Sequence, residues 1–262
     1  MKKYIFIDID GTLTNSKKEI SAKTKEIINK ITNKGIKVIL CSGRPNPYTI
    51  EKSIEANASN IVMSNSGNLI YDYQNKKIIY INEIKKSDLM DIFNCCENLK
   101  LDCALNGINT RFINKYSKRT GKIINSINEI NEPISQLSIE SNNLINALLF
   151  KEYIIKSKIF DIGYVSLSVL NKDKNAEKYE FDIMYKNGNK GQGIKILLNY
   201  LNIHVSETMC FGDYVNDIQM FKECDITIAM GNATEELKKM ADYITTTNDN
   251  NGVASFLEKE LL

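Results

Sequence analysis

Short apolar runs alternate with helical stripes along the first third of the chain. "YIFIDI", residues 4–9, has the composition of a buried strand, and Ile20, Thr24, Ile27, Ile28 and Ile31 then recur at helical spacing before Gly35 supplies a stop. A second apolar run, "IKVILC" (36–41), closes at Ser42, Gly43, Arg44 and Pro45. A helical stretch from Tyr48 to Ala56 leads to a third, "NIVMSN" (60–65). Strand, helix, strand, helix, strand predicts parallel pairing with right-handed crossovers. Ligands of such sheets sit beyond the carboxyl ends of the strands, where Asp8, Asp10 and Ser42 fall.

The same rhythm returns near the C-terminus. Ile194, Leu197, Leu198 and Leu201 form a helical stripe, "TMCF" runs into "GDYVND", "ITIAM" runs into "GNA", and a last helix follows. Between about Asn82 and Asn189 the pattern changes. "LDCALNG", "TRFIN", "SQLSIE", "YVSLSVL" and "EFDIMY" are strand candidates there, with helices expected from about Ser87 to Leu99 and Lys151 to Asp161. The expected architecture is α/β, a Rossmann-like parallel-sheet core built from residues 1–81 and 190–262, with residues 82–189 inserted as a separate α+β unit. "TTTNDNNG", residues 245–252, reads as a polar turn before the final helix, and its position at a strand end keeps it a weak site candidate. No repeat of fixed period is present, and the Asn, Lys and Ile richness runs through the whole chain as a compositional bias.

The chain has 262 residues, 43% of them hydrophobic, so a substantial core can form and two compact units are expected. Thirty-four basic residues against 32 acidic ones leave a net charge of +2, which gives no long-range field for a nucleic acid or an anionic bilayer. The start, "MKKYIFIDID", is too short in apolar residues for a secretory signal, and no run approaches the roughly 20 apolar residues that cross a membrane. A cytoplasmic location is the expectation.

Six cysteines, at 41, 95, 96, 103, 210 and 224, contain no CxxC pair, and His204 is the sole histidine. A zinc site would need an unusual ligand set, and a Ser/His or Cys/His nucleophile is hard to build. Cys41 and Cys210 close apolar runs and read as small buried residues, and His204 as a surface residue near a helix end. A redox role for the adjacent Cys95 and Cys96 runs against the scarcity of disulfides in this compartment.

The acidic residues carry more. Asp8 and Asp10 could converge if their strand persisted, although Gly11 points to a turn that would swing Asp10 over a reaction centre. Asp213 and Asp217 form a second pair at another strand end and share a face if a helix starts between them. Four carboxylates at one sheet edge repel unless a hard divalent cation sits among them, and oxygen donors without His or Cys favour Mg²⁺. "GNKGQG" sets Lys190 beside small residues just before a helix, and the Ser42-Gly43 turn offers a hydroxyl and amides, both suited to phosphate oxygens.

"DIDGTLT", "CSGR", Lys190 and "GDYVND", in that order, resemble the four motifs of the haloacid dehalogenase superfamily of phosphatases. The large insertion between the second and third motifs is similar to that of the Cof-type sugar-phosphatase branch, in which it forms a cap domain. The resemblance extends through "AMGNATEELKKMADYITTTNDNNGV". It implies a Mg²⁺-dependent phosphatase acting on small phosphorylated metabolites, with Asp8 as the nucleophile that becomes an aspartyl-phosphate and Asp10 as acid and base. It also implies Mg²⁺ bound by Asp8, the main-chain carbonyl of Asp10 and Asp213, with Asp217 in support. Ile9, Ser42, Gly43, Lys190 and Asn216 would hold the phosphoryl oxygens. Where relatives often read Asn-Gly-Ala after the third strand, this chain has Ser66-Gly67-Asn68.

Phosphate monoesters hydrolyse so slowly that accelerations up to ~10²¹ are on record, so positioning and charge stabilisation carry the catalysis. A phosphomutase is the nearest alternative, because an aspartyl-phosphate can be returned to another hydroxyl. A non-enzymatic phospho-accepting switch is another, against which Asp10 argues. A nucleotide-cofactor fold is disfavoured because no GxGxxG follows the first strand. Specificity is expected from the inserted unit, with Arg111 and Asn106 as candidates to face the leaving group and a solvated surface position as the favoured reading of Arg111. Oligomeric state is not legible from the residues.

Overall fold

The computed structural model describes residues 2–262. Contacts divide the chain into two units, one formed by residues up to Arg44, Tyr48–Tyr80 and Asn189–Leu262, the other by Pro45–Pro47 and Ile81–Gly188.

In the first unit, β1 (Tyr4–Asp8), α1 (Ala22–Asn33), β2 (Lys37–Cys41), α2 (Asn46–Glu55) and β3 (Ile61–Ser64) follow in order. β1 pairs in parallel with β2 and β2 with β3, and β4 (Leu69–Asp72) then turns back antiparallel to β3 before β5 (Lys77–Ile81). The inserted segment contributes α3 (Lys86–Asn98), β6 (Asp102–Asn106), β7 (Arg111–Ile113), β8 (Lys122–Ile123), β9 (Gln136–Ser141), α4 (Leu144–Ser157), β10 (Phe160–Val165), α5 (Leu167–Leu170) and β11 (Tyr179–Tyr185). The chain returns to the first unit with α6 (Lys190–Leu201), β12 (Thr208–Gly212), α7 (Ile218–Phe221), β13 (Ile226–Ala229), α8 (Glu235–Met240), β14 (Tyr243–Ile244) and α9 (Gly252–Leu261).

The eight-stranded sheet runs β14-β13-β12-β1-β2-β3-β4-β5, with β1 paired in parallel to β2 on one side and to β12 on the other. Ile7 lies opposite both Leu40 and Phe211, and Asp8 opposite Cys41, so the carboxyl ends of the three strands are level. That register brings the turns after Asp8, Cys41 and Gly212 to one rim. Ile5, Phe6 and Ile7 are fully buried because helices cover both faces of a parallel sheet. On α1 the stripe Thr24, Ile27, Ile28 and Ile31 is buried, Ser21 caps the helix by accepting from the Thr24 N–H, and Gly35 follows at φ +83°.

In the second unit a six-stranded sheet ordered β10-β11-β9-β6-β7-β8 is mostly antiparallel. Leu89, Ile92, Phe93, Ala147, Phe150 and Ile154 of α3 and α4 share a core with Leu105, Leu137, Ile139 and Phe181 of the sheet. Two expectations fail here. The second helix covers Leu144–Ser157 where Lys151–Asp161 was expected, and Phe160 already belongs to β10. "YVSLSVL" is not a strand throughout. The chain leaves the sheet at Ser166, whose carbonyl accepts from the Val169 and Leu170 N–H groups and starts a short helix.

His204 caps a turn at Val205–Glu207, its Nδ1 accepting from the Ser206 N–H at 3.2 Å. All six thiols are free, with Cys41 and Cys210 buried, and burial pushes the Cys95 thiol up to about 11, which suits no redox role. Among the described residues no helix is long and apolar enough to cross a membrane.

Candidate active site

Each acidic group sits where an apolar strand runs out. β1 ends at Asp8, and the chain turns because the Asp8 carbonyl accepts from the Leu13 N–H and the Ile9 carbonyl from both the N–H and the hydroxyl of Thr14. Gly11 makes this turn at φ +82°, a conformation that favours glycine, and a Cβ there would collide with the Asp213 carboxylate. β12 ends at Gly212, and Asp217 closes the next turn by accepting from the Asp213 N–H at 3.0 Å and the Tyr214 N–H at 3.2 Å.

Lys190, the first residue of α6, is 1% exposed, and its ammonium bonds both Asp8 Oδ1 and, at 2.6 Å, Asp217 Oδ1. Carboxylate oxygens of Asp8, Asp213 and Asp217 all lie within 4.8 Å of one another. Thr12 Oγ1 donates to Asp213 Oδ1 at 2.8 Å and so orients the third carboxylate. Three carboxylates therefore face a single ammonium.

The electrostatics follow from that imbalance. Burial pushes the Asp8 carboxyl up, Lys190 opposes the rise, and Asp217 and Asp213 reinforce it, so that Asp8 ends well above the ordinary carboxylate range. Burial and then Asp217 push Asp213 up to about 6, against Thr12 and Lys190. Burial works against the charge on Lys190, but Asp217 and Asp8 outweigh it and hold the ammonium protonated. A divalent cation beside the three carboxylates would neutralise the negative charge that Lys190 leaves, and the donors are all hard oxygens. The residues present therefore fit a Mg²⁺ ion.

Asp10 is not part of this group. Its carboxylate turns to Arg44, which donates from Nε to Oδ2 at 2.8 Å and from Nη2 to Oδ1 at 3.0 Å. The expected gathering of four carboxylates is thus three, because the strand stops at Asp8 and the Gly11 turn carries Asp10 to the β2 rim. Ser42, on that rim, is buried and accepts from the Arg44 N–H at 3.0 Å. Ile9 is buried beside Asp8, Gly43 is half-buried, and Asn216 is exposed on the turn between Asp213 and Asp217.

Thr12 and Arg44 were present in the recognised motifs without a role, and only the fold supplies their partners. The departure at Ser66-Gly67-Asn68 coincides with three consecutive left-handed residues, Asn65 at φ +51°, Ser66 at +57° and Gly67 at +89°. The Ser66 N–H donates to the Ser42 carbonyl at 2.9 Å, so this kinked turn braces the Ser42 loop. In the second unit Asn106 is buried and donates to Gln136 Oε1 and Ser138 Oγ, and Arg111 is half-buried and donates to Asn106 Oδ1 at 3.2 Å. The expectation of a solvated Arg111 is corrected accordingly, since β6–β7 pairing sets it directly opposite Asn106.

The model of the haloacid dehalogenase-like hydrolases matches residues 5–257. The chain belongs to that family. This haloacid dehalogenase-like hydrolase is 29% identical to a putative phosphatase of Haemophilus influenzae, over 99% of this chain and 98% of the relative. It superposes with a TM-score of 0.85 on a haloacid dehalogenase-like hydrolase from Bacteroides thetaiotaomicron, 26% identical, with 99% of each chain covered. It also shares the fold of a subclass IIB sugar phosphatase, at 23% identity, a TM-score of 0.78 and 98% coverage of both chains.

Proposed function

We propose that the protein is a Mg²⁺-dependent phosphatase that hydrolyses small phosphorylated metabolites, sugar phosphates foremost, through an aspartyl-phosphate on Asp8. The observation that carries this reading is Lys190 bridging Asp8 and Asp217 with Asp213 alongside. Lys190 opposes the rise that burial and the neighbouring carboxylates impose on Asp8, and a divalent ion beside the three would complete the ionisation that a carboxylate nucleophile needs. The fold shared with a sugar phosphatase supports the substrate class. The reading includes a division into a catalytic core, residues 1–81 and 190–262, and a cap, residues 82–189.

In this reading Asp8 attacks phosphorus, the ester P–O bond breaks, and Asp10, which must carry a proton on one of the two oxygens that face Arg44 in this structure, gives that proton to the departing oxygen. Asp10 then takes a proton from the water that attacks the acyl phosphate, and inorganic phosphate and the Asp8 carboxylate are regenerated. Lys190, Ser42, Asn216 and the Ile9 and Gly43 amides hold the phosphoryl oxygens. Ser42 Oγ, already accepting from Arg44, presents its own proton to the anion. Asp8, the Asp10 carbonyl and Asp213 would hold Mg²⁺, with Asp217 fixing Lys190 and the Asp213 backbone. When bound, the ion supplies charge neutralisation at the phosphoryl group.

A panel of hexose, pentose and triose phosphates assayed with Mg²⁺ and with a chelator tests the proposal. Metal-dependent phosphate release, lost in Asp8→Asn, together with a phosphorylated Asp8 peptide in acid-quenched wild type, is expected. Activity retained in Asp8→Asn overturns it, and phosphoryl return to the substrate without net phosphate release makes the protein a mutase.

A further inference from the structure

The polar stretch "TTTNDNNG" is expected from the sequence as a polar turn, and its place at a strand end makes it a weak site candidate. The structure ties it to the segment that carries Asp10. Asn232 Nδ2 donates to the Gly11 carbonyl at 2.8 Å, and Asn232 Oδ1 accepts from the Asn248 N–H at 2.9 Å. Asn248 Nδ2 then donates to the Thr14 carbonyl at 2.9 Å, and Asp249 Oδ1 accepts from the Ser16 N–H at 2.8 Å. The loop that carries Asn232 also reaches the metal-site side, where the Thr234 N–H donates to the Asp213 carbonyl at 2.9 Å.

Two amides thus hold the turn at both of its ends, one residue after Asp10 and four residues after it. The bridge between Asp10 and Thr14 joins those ends. Gly11 is the point at which the chain has most conformational freedom, and its carbonyl is the one that Asn232 fixes. Asn232 is exposed and Asn248 half-buried, so neither fills the core, and Asn251 and Gly252 return the chain to α9.

We propose that Asn232 and Asn248 are positioning residues, a two-amide clamp that fixes the Gly11–Thr14 turn and so sets where the Asp10 carboxyl meets the departing oxygen. The inference rests on the reading of Asp10 as general acid. A misplacement of about 1 Å is enough to cost roughly 10² in rate, while the clamp touches neither phosphorus nor the metal ligands' side chains. Its loss should therefore fall hardest on cleavage of an ester whose departing oxygen needs a proton, and less on cleavage of one whose departing oxygen does not.

The experiment compares two esters on the Mg²⁺-saturated enzyme. A hexose phosphate has a poor leaving group that needs a proton, and 4-nitrophenyl phosphate releases a phenolate that does not. Asn232→Asp keeps the acceptor for the Asn248 N–H and loses the donor to Gly11, and Asn248→Asp loses the donor to Thr14. Each variant is expected to lower kcat/KM, which reports the steps up to release of the leaving group and not the later attack of water that both esters share, by about 10- to 100-fold on the hexose phosphate and by less than about 3-fold on the aryl ester. The double variant is expected to lose less than the product of the two effects, because both amides act on one turn.

The ratio of the two rates on one preparation does not depend on how much of it is folded, so partial unfolding leaves the comparison intact. Asp10→Asn is the reference and should give the largest split. If Asp10→Asn splits the esters and the asparagine variants slow both equally, or slow neither, the clamp is overturned. If Asp10→Asn gives no split, the acid role of Asp10 fails and the clamp falls with it.

Discussion

Arg44 grips Asp10 by both carboxylate oxygens, through Nε at 2.8 Å and Nη2 at 3.0 Å. The guanidinium also lies 5.8 Å from the Tyr48 ring centroid, so its plane is held on two sides. Asp10 therefore takes its direction from the β2 turn as well as from its own. Because an ammonium cannot make two parallel bonds to a carboxylate, Arg44→Lys should rescue little of what Arg44→Ala loses. Steady-state kinetics on a sugar phosphate should give a kcat roughly 10-fold or more below wild type for both variants. Wild-type kcat in Arg44→Lys would show that charge alone suffices.

Lys190 is the buried ammonium between two buried carboxylates. Removing one partner of such a set leaves uncompensated charge, typically at a cost of about 3–5 kcal/mol. Lys190→Met should lower the chemical-denaturation midpoint in metal-free buffer by a corresponding amount and lower kcat by roughly 10² or more. A stable variant with only a raised KM would assign Lys190 to ground-state binding.

Metal binding can be read without turnover. A ligand at 100 times its dissociation constant stabilises a fold by about 2.7 kcal/mol, which for a protein of this size is a rise of roughly 5–10 °C in Tm. Mg²⁺ should produce such a rise in wild type, and Asp213→Asn should abolish it. An undiminished rise in the variant would remove Asp213 from the metal site.

Away from the site, Asp72 closes the turn between β4 and β5. Its Oδ1 accepts from Asn60 Nδ2 and from the Gln74 and Asn75 N–H groups, and its Oδ2 from Asn75 Nδ2. Burial pushes its carboxyl up, but the bonds from Asn75, Asn60 and Gln74 outweigh it and hold it below the ordinary 3.8. A carboxyl depressed in the folded state stabilises above its unfolded pKa, and that stability is lost as pH falls through the folded value. Asp72→Ala should cost about 1–2 kcal/mol at pH 7, and urea titrations below pH 3.8 should find the gap narrowed. A pH-independent difference would mean that packing, not charge, is what Asp72 supplies.

The parallel sheet was readable because fully buried strands such as Phe6–Ile7 and Val38–Leu40 are continuous apolar runs that end in polar turns. Asp8, Asp213 and Asp217 were readable for the same reason, since each follows such a run. Helix α4 was not, because "LINALLFKEYII" is apolar almost all round and leaves Ile145, Leu149 and Ile155 exposed, so no stripe marks its start. "YVSLSVL" alternates with the period of a strand, and only the bonds made by the Ser166 carbonyl turn it into a helix. Partners distant in sequence were the least legible. Nothing local to Asp10 announces Arg44, and nothing local to Gly11 announces Asn232.

β1 occupies the middle of the main sheet, with Phe6 opposite Ile39 on one side and Cys210 on the other. A ribosome delivers the first of those neighbours early and the second only after the whole inserted segment has emerged. Throughout that interval one flank of a fully apolar strand has no partner, and the nascent chain carries an open edge of the kind that recruits other strands. The length of the insertion therefore sets how long the emerging polypeptide depends on shielding, and slowing translation within it should raise the fraction of chains that aggregate.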